Sequence, residues 1–202
     1  MQFDDITREA IEVIQYVYGI ATVRLIDIFD IRFNSKKDVF GRKDIVENGY
    51  PAIFFSDVSR KYDITVENVE TKISEELFKV SDKMSENDIL VTLEEFDKIH
   101  VGRAVLYTGL KEVALNGYVA FLTLKESFKD VVNLEYVSFY INYSDFFRKQ
   151  VFKNSAGAKV QRISKQNFEL LEIKLPTIEI QNKVIEKFET FNKSFETISN
   201  SI

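Results

Sequence analysis

Residues 175–202, LPTIEIQNKVIEKFETFNKSFETISNSI, constrain this chain more than any other stretch. Pro176 lacks the N–H that a β ladder needs, and its fixed φ suits a first helical position. It therefore ends a strand, LEIKLP (171–176), and opens a helix. Beyond it the apolar positions run Val184, Phe188, Phe191, Phe195, Ile198 and Ile202. Steps of four and three alternate, which is the period of a coiled-coil seam and narrower than the stripe of a core-facing helix. A helix over residues 178–202 would extend roughly 38 Å, longer than a small domain needs for its own packing. The seam therefore calls for a partner helix, with Val184, Phe188, Phe191, Phe195 and Ile198 as the dimerisation positions. The alternative is packing against the chain's own first helix. Phenylalanine is unusual in a two-stranded seam, which also admits a thicker bundle that includes Ile6, Ala10, Val13 and Val17.

Those last four residues share one face of DDITREAIEVIQYVYG, a first helix with Asp5 as its N-cap and Gly19 as its stop. Between the two helices the pattern is mostly β. TVRLIDIFDIRF (22–33) reads as one or two strands and AIFFSDV (52–58) as a short buried one. DILVTL (88–93), GRAVLYT (102–108) and VALNGYVAFLTL (113–124) are further strands, spaced as in a sheet or small barrel. NSKKDVFGRKDIVENGYP (34–51) is a long loop or hairpin tip. The stretch from Ile64 mixes an edge strand with a helix around Ser74 to Val80, and NLEYVSFYINYSDFFRKQVF is one helix capped by Asn133. The expected fold class is α+β, with a small mixed-sheet or barrel-like core, a first helix over 1–21 and a long C-terminal coiled-coil helix over 176–202.

The chain has 202 residues, 45% of them hydrophobic and 13% aromatic, which is globular composition. It holds no cysteine, so disulfides, thiolate metal sites and cysteine nucleophiles are excluded together. The acidic start MQFDDITREA does not fit a signal peptide, and no apolar run reaches membrane-spanning length. A soluble, cytoplasmic protein is expected. The net charge of −5 argues at first against a nucleic-acid partner. Its distribution matters more: residues 61–100 carry five basic against eleven acidic side chains, and residues 101–165 carry ten against five.

The basic groups fall in loops. Lys36, Lys37, Arg42 and Lys43 lie in the first, Ser59, Arg60 and Lys61 in a second, and Lys98, His100 and Arg103 in a third. Lys153, Asn154, Ser155, Lys159, Gln161 and Arg162 lie in a fourth. Lys and Arg suit phosphates, Arg can bridge guanine O6 and N7, and Asn or Gln can bridge adenine N6 and N7. Double-stranded DNA is therefore the expected partner, with residues 153–162 ranked first and 35–43 second. The bland alternative is a set of solvated loop charges.

Chemistry of the chain's own finds little support. His100 is the only histidine, so a histidine metal cluster is impossible and a solvated or phosphate-contacting role remains. Asp57 with Glu70-Thr71-Lys72 has the order of a metal-nuclease pattern, but such triplets arise often where 29% of residues are charged. The two prolines are isolated and there is no glycine-rich loop, so neither a methyltransferase motif nor a P-loop is present. No catalysis, metal or cofactor is expected. The acidic block 74–98 reads as a face turned away from DNA.

The order of features is also familiar. AIFFSDV, ENDIL, a Gly-Arg turn into AVLY, ALNGYVAFLTL, a helix, a Ser-Ala-Gly loop and LLEIKLPTIEIQNKVIEKF resemble the specificity (S) subunits of type I restriction-modification systems. The junction IKLPTIEIQNKVI is similar to the family's strand, proline, acidic residue, glutamine and isoleucine signature. ENDIL matches its Gly-Asp-Ile-Leu with Asn87 in place of Gly. The resemblance covers roughly residues 22 to 202. It implies one target recognition domain over 22–175 and one conserved dimerisation and spacer helix over 176–202, which together make a half-size S subunit. A typical S subunit has two such units, each reading one half of a split DNA site. The resemblance thus implies a homodimer on an interrupted palindrome, with methyltransferase (M) subunits that supply S-adenosylmethionine and adenine methylation, and a restriction (R) subunit attached through them. The rival reading is a DNA-independent scaffold that binds methyltransferase subunits.

Overall fold

The computed structural model describes residues 3–36 and 38–199, apart from the side chains of Phe3, Phe195, Glu196, Ile198 and Ser199. Lys37, Ile202 and the side chains of Phe195 and Ile198 thus lie outside the described residues. The chain runs α1 (Phe3–Tyr18), β1 (Ile20–Arg24), α2 (Leu25–Ile28), β2 (Phe29–Phe33) and, after a 3-10 turn, β3 (Ile45–Phe54). Then come α3 (Phe55–Arg60), β4 (Thr65–Val66), β5 (Lys72–Ile73), α4 (Glu75–Val80), β6 (Lys83–Met84) and β7 (Asp88–Thr92). β8 (Glu94–Glu95), β9 (Ala104–Tyr107), β10 (Val113–Asn116) and β11 (Val119–Leu124) precede α5 (Leu134–Tyr143) and α6 (Asp145–Asn154). β12 (Ser155–Ala156), β13 (Gln161–Ile163), α7 (Lys165–Glu169), β14 (Glu172–Pro176) and α8 (Ile178–Ser199) complete it.

The core is layered. A five-stranded sheet in the order β2-β11-β7-β9-β4 stacks on a four-stranded sheet in the order β5-β3-β10-β6. Side chains alternate across a strand, so β7 feeds two cores. Ile89 and Val91 join Leu106, Leu122, Phe147 and Ile141 on the helical side, while Leu90 joins Val105, Phe121, Ile53 and Leu115 between the sheets. Ala52, Phe54 and Ala114 face a third cluster under Phe40 and α4. The sheets remain separate and no closed barrel forms, so the α+β expectation holds and the barrel-like core does not.

Several boundaries differ from the sequence reading, each for a local reason. Residues 113–124 are two strands in two different sheets, because Gly117 turns the chain at φ +97°. A Cβ there would stand 2.4 Å from Phe55. The loop assigned to 34–51 becomes strand from Ile45, paired with β5 through an irregular register. AIFFSDV is strand only to Phe54, after which Asp57 reaches back to accept the Phe54 N–H at 3.3 Å and starts α3. Asn133 caps α5 as expected, but the helix breaks at Ser144, which closes α5 and caps α6. Asn87 is the only non-glycine with positive φ among the described residues, at 68°. That left-handed conformation is one Asn tolerates, and it accounts for Asn where the family pattern has Gly.

The two ends of the chain meet. β1 pairs antiparallel with β14, and Pro176 is the last residue of that ladder rather than the first of the helix. Thr177 starts α8 instead, its carbonyl accepting from Ile180 and Gln181. Gln181 is fully buried, donating to the Val131 and Pro176 carbonyls and accepting from the Asn133 N–H. Gln15 of α1 donates to the carbonyls of Leu175 and Pro176. Two glutamines thereby fix the angle at which α1 and α8 leave the domain. α1 begins at Phe3, so Asp5 lies inside it and is not its cap, whereas Gly19 stops it at φ +76°. Its buried residues are Ile11 and Gln15, and the apolar stripe of Ile6, Ala10, Val13 and Val17 faces solvent.

Candidate nucleic-acid interface

Two of the four basic segments meet on one small strand, β8, and a third meets α3 beside it. β8 pairs with β13, placing Arg162 opposite Glu94 and Gln161 opposite Glu95. Arg162 Nε donates to Glu94 Oε2 at 2.7 Å, and Nη2 bonds the same oxygen. Its guanidinium lies 5.1 Å from the Tyr118 ring centre. From the other side of β8, Arg60 at the end of α3 donates through Nη2 to Glu95 Oε2 at 3.1 Å. The Glu95 carboxylate is buried, with 1% of its side chain exposed, while half of Arg60 remains in solvent. Ser59 donates to Glu95 Oε1 at 2.5 Å and the Phe96 N–H to Oε2 at 3.0 Å.

One turn earlier on α3, Asp57 receives Arg42 from the first loop. The Nη2–Oδ1 distance is 2.6 Å, Ser56 accepts a further bond at 3.0 Å, and the guanidinium stacks 4.3 Å from the Phe54 ring centre. Arg42 sits where it does because Gly41 donates its N–H to Asp44 at 2.8 Å, closing the 3-10 turn Arg42–Asp44. Arg42, Phe55, Asp57, Arg60, Lys61, Glu95 and Phe96 line one open cleft. Lys61 donates to Glu70 at 2.9 Å, a hydrogen bond that raises the lysine above its ordinary range and lowers the carboxylate below its own. Phe96 is 71% exposed at the cleft's edge. The pattern throughout is a guanidinium in solvent aimed by a carboxylate held in the fold.

Other expected positions are placed differently. Lys43, Lys153 and Lys159 are exposed, Lys159 at the tip between β12 and β13. Lys36 lies in a loop tied down by Asp82, which accepts from the Ser35 N–H and hydroxyl. Burial pushes the Asp82 carboxyl up, and those bonds, with Lys36 nearby, outweigh it and hold the carboxyl below its ordinary range. Ser59 and Ser155 are buried, and Asn154 donates to the Gln150 carbonyl. Gln161 bonds the Gly157 carbonyl within its own hairpin. The third loop turns inward: Arg148 donates to the carbonyls of Ile99 and Gly102, and Arg103 to that of Asn142. His100 stands 3.7 Å from Asp97, and Lys98 lies over the Phe152 ring.

Asp57, Glu94, Glu95 and Phe96, which organise the cleft, were not among the expected site residues. Glu94 and Glu95 belong to the acidic block read as turned away from DNA, and that reading fails for them because both meet arginines of the basic loops. Nothing in local spacing could have paired residues 35 and 68 positions apart. Asp57 is committed to Arg42 and to the Phe54 N–H, and Glu70 to Lys61, so the nuclease-like pattern does not assemble. Among the described residues no group of three His, Asp or Glu could hold a metal, and no helix is long and apolar enough to cross a membrane.

The seam of α8 divides. Val184 and Phe188 are half-buried against their own domain, Phe188 with its ring centre 4.9 Å from Phe139 and 5.6 Å from Tyr143. Phe191, one step on, is 66% exposed.

The structure is thus a layered α+β domain that presents half-exposed guanidinium groups held by carboxylates, with a long helix leaving it. The chain belongs to the type I restriction modification DNA specificity domain family, whose model matches residues 19–202. Domains of this family recognise DNA and are not catalytic. The chain is 26% identical over 118 residues to the type I restriction enzyme StySPI specificity subunit of Salmonella potsdam, covering 58% of this chain and 24% of that subunit. Its fold is similar to the HsdS subunit of Thermoanaerobacter tengcongensis, with a TM-score of 0.57 at 14% identity, over 98% of this chain and 47% of that one. It is likewise similar to the type I S subunit of M. genitalium, with a TM-score of 0.52 at 12% identity over 90% and 41%. A chain from a type I R-M assembly gives a TM-score of 0.61 at 14% identity over 98% and 48%. The chain spans about a quarter of the curated relative and about half of the solved ones.

Proposed function

We propose that this domain reads one half of a bipartite DNA site for a type I restriction-modification complex, in the cytoplasm, and directs methyltransferase and restriction subunits to it. The observation that carries the reading is that Arg42 and Arg60, from two separate segments, line one cleft beside β8, while Arg162, on the hairpin that bears Lys159, meets the neighbouring Glu94 of the same strand. Exposed Lys36, Lys43, Lys153 and Lys159 supply phosphate contacts that set register, and the positioned arginines supply readout. Lys37 belongs to the same basic loop by sequence. The chain acts without a cofactor of its own, and S-adenosylmethionine belongs to the methyltransferase partner.

Pairing with a second copy rests on α8. At 22 residues it is about 33 Å long. Its proximal seam is engaged at home, and exposed Phe191 continues the period outward. The solvent-facing stripe of α1 flanks the root of α8 across a shared groove. A two-fold bundle of both helices would cover these apolar surfaces and place two reading faces in opposite orientation.

The scaffold alternative is favoured by one observation, that each arginine of the cleft is already neutralised by a carboxylate. Salt-dependent binding to mixed-sequence duplex DNA separates the two. Recognition predicts that Lys159→Ala with Lys153→Ala weakens binding and lowers the salt slope by about one per lost contact. A scaffold predicts no change. Light scattering tests the dimer, with Phe191→Ser expected to yield a folded monomer. A monomeric parent chain would refute pairing through α8.

A further inference from the structure

Resting on the DNA-reading proposal, we infer that the cleft between α3 and β8 is a guanine reader. Arg42 and Arg60, each aimed by its own carboxylate, contact base edges in the major groove, and Phe96 makes the apolar contact at their side. The geometry explains the choice. Arg can meet guanine O6 and N7 with two parallel N–H bonds, and a guanidinium fixed before binding loses less freedom in doing so. Arg60, with one Nη2 hydrogen on Glu95, keeps a parallel pair free, whereas both Nη2 hydrogens of Arg42 are taken by Ser56 and Asp57, so Arg42 offers single contacts through Nε or Nη1. Here the aiming is built in. Asp57 uses one oxygen on Arg42 and the other on the Phe54 N–H, so its orientation is locked to the start of α3. Glu95 is held by the Ser59 hydroxyl and the Phe96 N–H, and it meets Arg60 through Nη2 alone.

A phosphate-binding role fits this arrangement poorly. A carboxylate beside each guanidinium cancels the field that attracts phosphate, while it fixes the direction in which the remaining N–H groups point. Ser56 and Asp57 secure one end of Arg42, and its Cζ lies over the Phe54 ring. Phe96, 71% exposed in the bend that follows Glu95, lies outside the core clusters, and a large apolar group at that position suits a thymine methyl or a base face. The prediction is that the half-site this chain selects contains at least one guanine, read through its O6 and N7.

The test is selection of bound sequences from a random duplex pool by the full chain, with and without its methyltransferase partner, followed by binding to the selected duplex. The parent should fix a G·C pair. 7-Deazaguanine at that pair, which removes N7, should weaken binding, and Arg60→Lys should reduce discrimination at that pair by about 5- to 150-fold, with a smaller loss for Arg42→Lys. The salt slope should be unchanged, because each lysine keeps the charge. Phe96→Ala should relax preference at a neighbouring pair. Lysine variants that leave the selected sequence and its discrimination intact would overturn the inference, as would a selected site without G·C. A parent that binds no DNA in either form would overturn the DNA reading itself.

Discussion

Two groups of arginines have opposite fates in the fold. Arg42, Arg60 and Arg162 stay half or more in solvent, each with a carboxylate behind it. Arg103 and Arg148, from and beside the segment KIHVGR, turn inward and spend their donors on backbone carbonyls. Among the described residues Arg148 forms no ion pair, and burial, followed by repulsion from Arg103, lowers its guanidinium to about 10. The difference lies in where the counter-charge sits. A guanidinium fixed from behind keeps donors free to recognise a partner, and one that satisfies carbonyls becomes part of the loop's scaffolding.

The largest expected effect breaks this division at its structural side. Arg148→Ala leaves the carbonyls of Ile99 and Gly102 without their donor and should cost about 2–4 kcal/mol. That corresponds to a fall of roughly 5–15 °C in Tm by calorimetry, with base preference unchanged. Next is Glu95→Gln, which keeps the shape but removes the charge that gathers Ser59, Arg60 and Phe96. It should lower stability by about 1–2 kcal/mol in urea denaturation and loosen discrimination by the cleft. Glu94→Gln sharpens the comparison from the other side. Its pair with Arg162 is partly exposed, so stability should change by less than about 1 kcal/mol, while affinity for non-specific DNA rises and becomes more salt-dependent.

The smallest effect concerns the root of α8. Glu135 on α5 is raised above its ordinary range, chiefly by burial and then by the charge of Glu189 on α8. Its ionised form is therefore disfavoured in the folded protein. Stability should decline as pH rises from the ordinary glutamate range through the raised folded value, and then level off. Glu135→Gln should flatten that decline by about 0.5 kcal/mol, since the side chain is only partly buried and solvent screens its charge. Urea midpoints at pH 4.5 and 7 would show it.

The elements were largely legible. Ser74 and Asn133 cap their helices, Gly19 stops α1, and DILVTL and LEIKLP are strands because their apolar runs leave no other period. The first helix shows the limit. Its apolar stripe was evident, but the structure buries the flank carrying Ile11 and Gln15 and leaves the stripe outside. A periodic pattern reports that a face wants a partner, not which partner it receives.

The same distinction runs through the whole protein. Local periodicity, capping chemistry and the order of turns were enough to determine the α+β class, most elements, the long terminal helix and the segments that carry exposed basic groups. These depend on neighbours within a few residues. The tertiary structure decided that Glu94 and Glu95 meet arginines from two different segments, that Gly117 sends adjacent strands into different sheets, and that Phe188 is half-buried against Phe139 and Tyr143 while Phe191 is exposed. Such contacts join residues tens of positions apart, and their energies depend on burial and orientation that exist only once the sheets have packed.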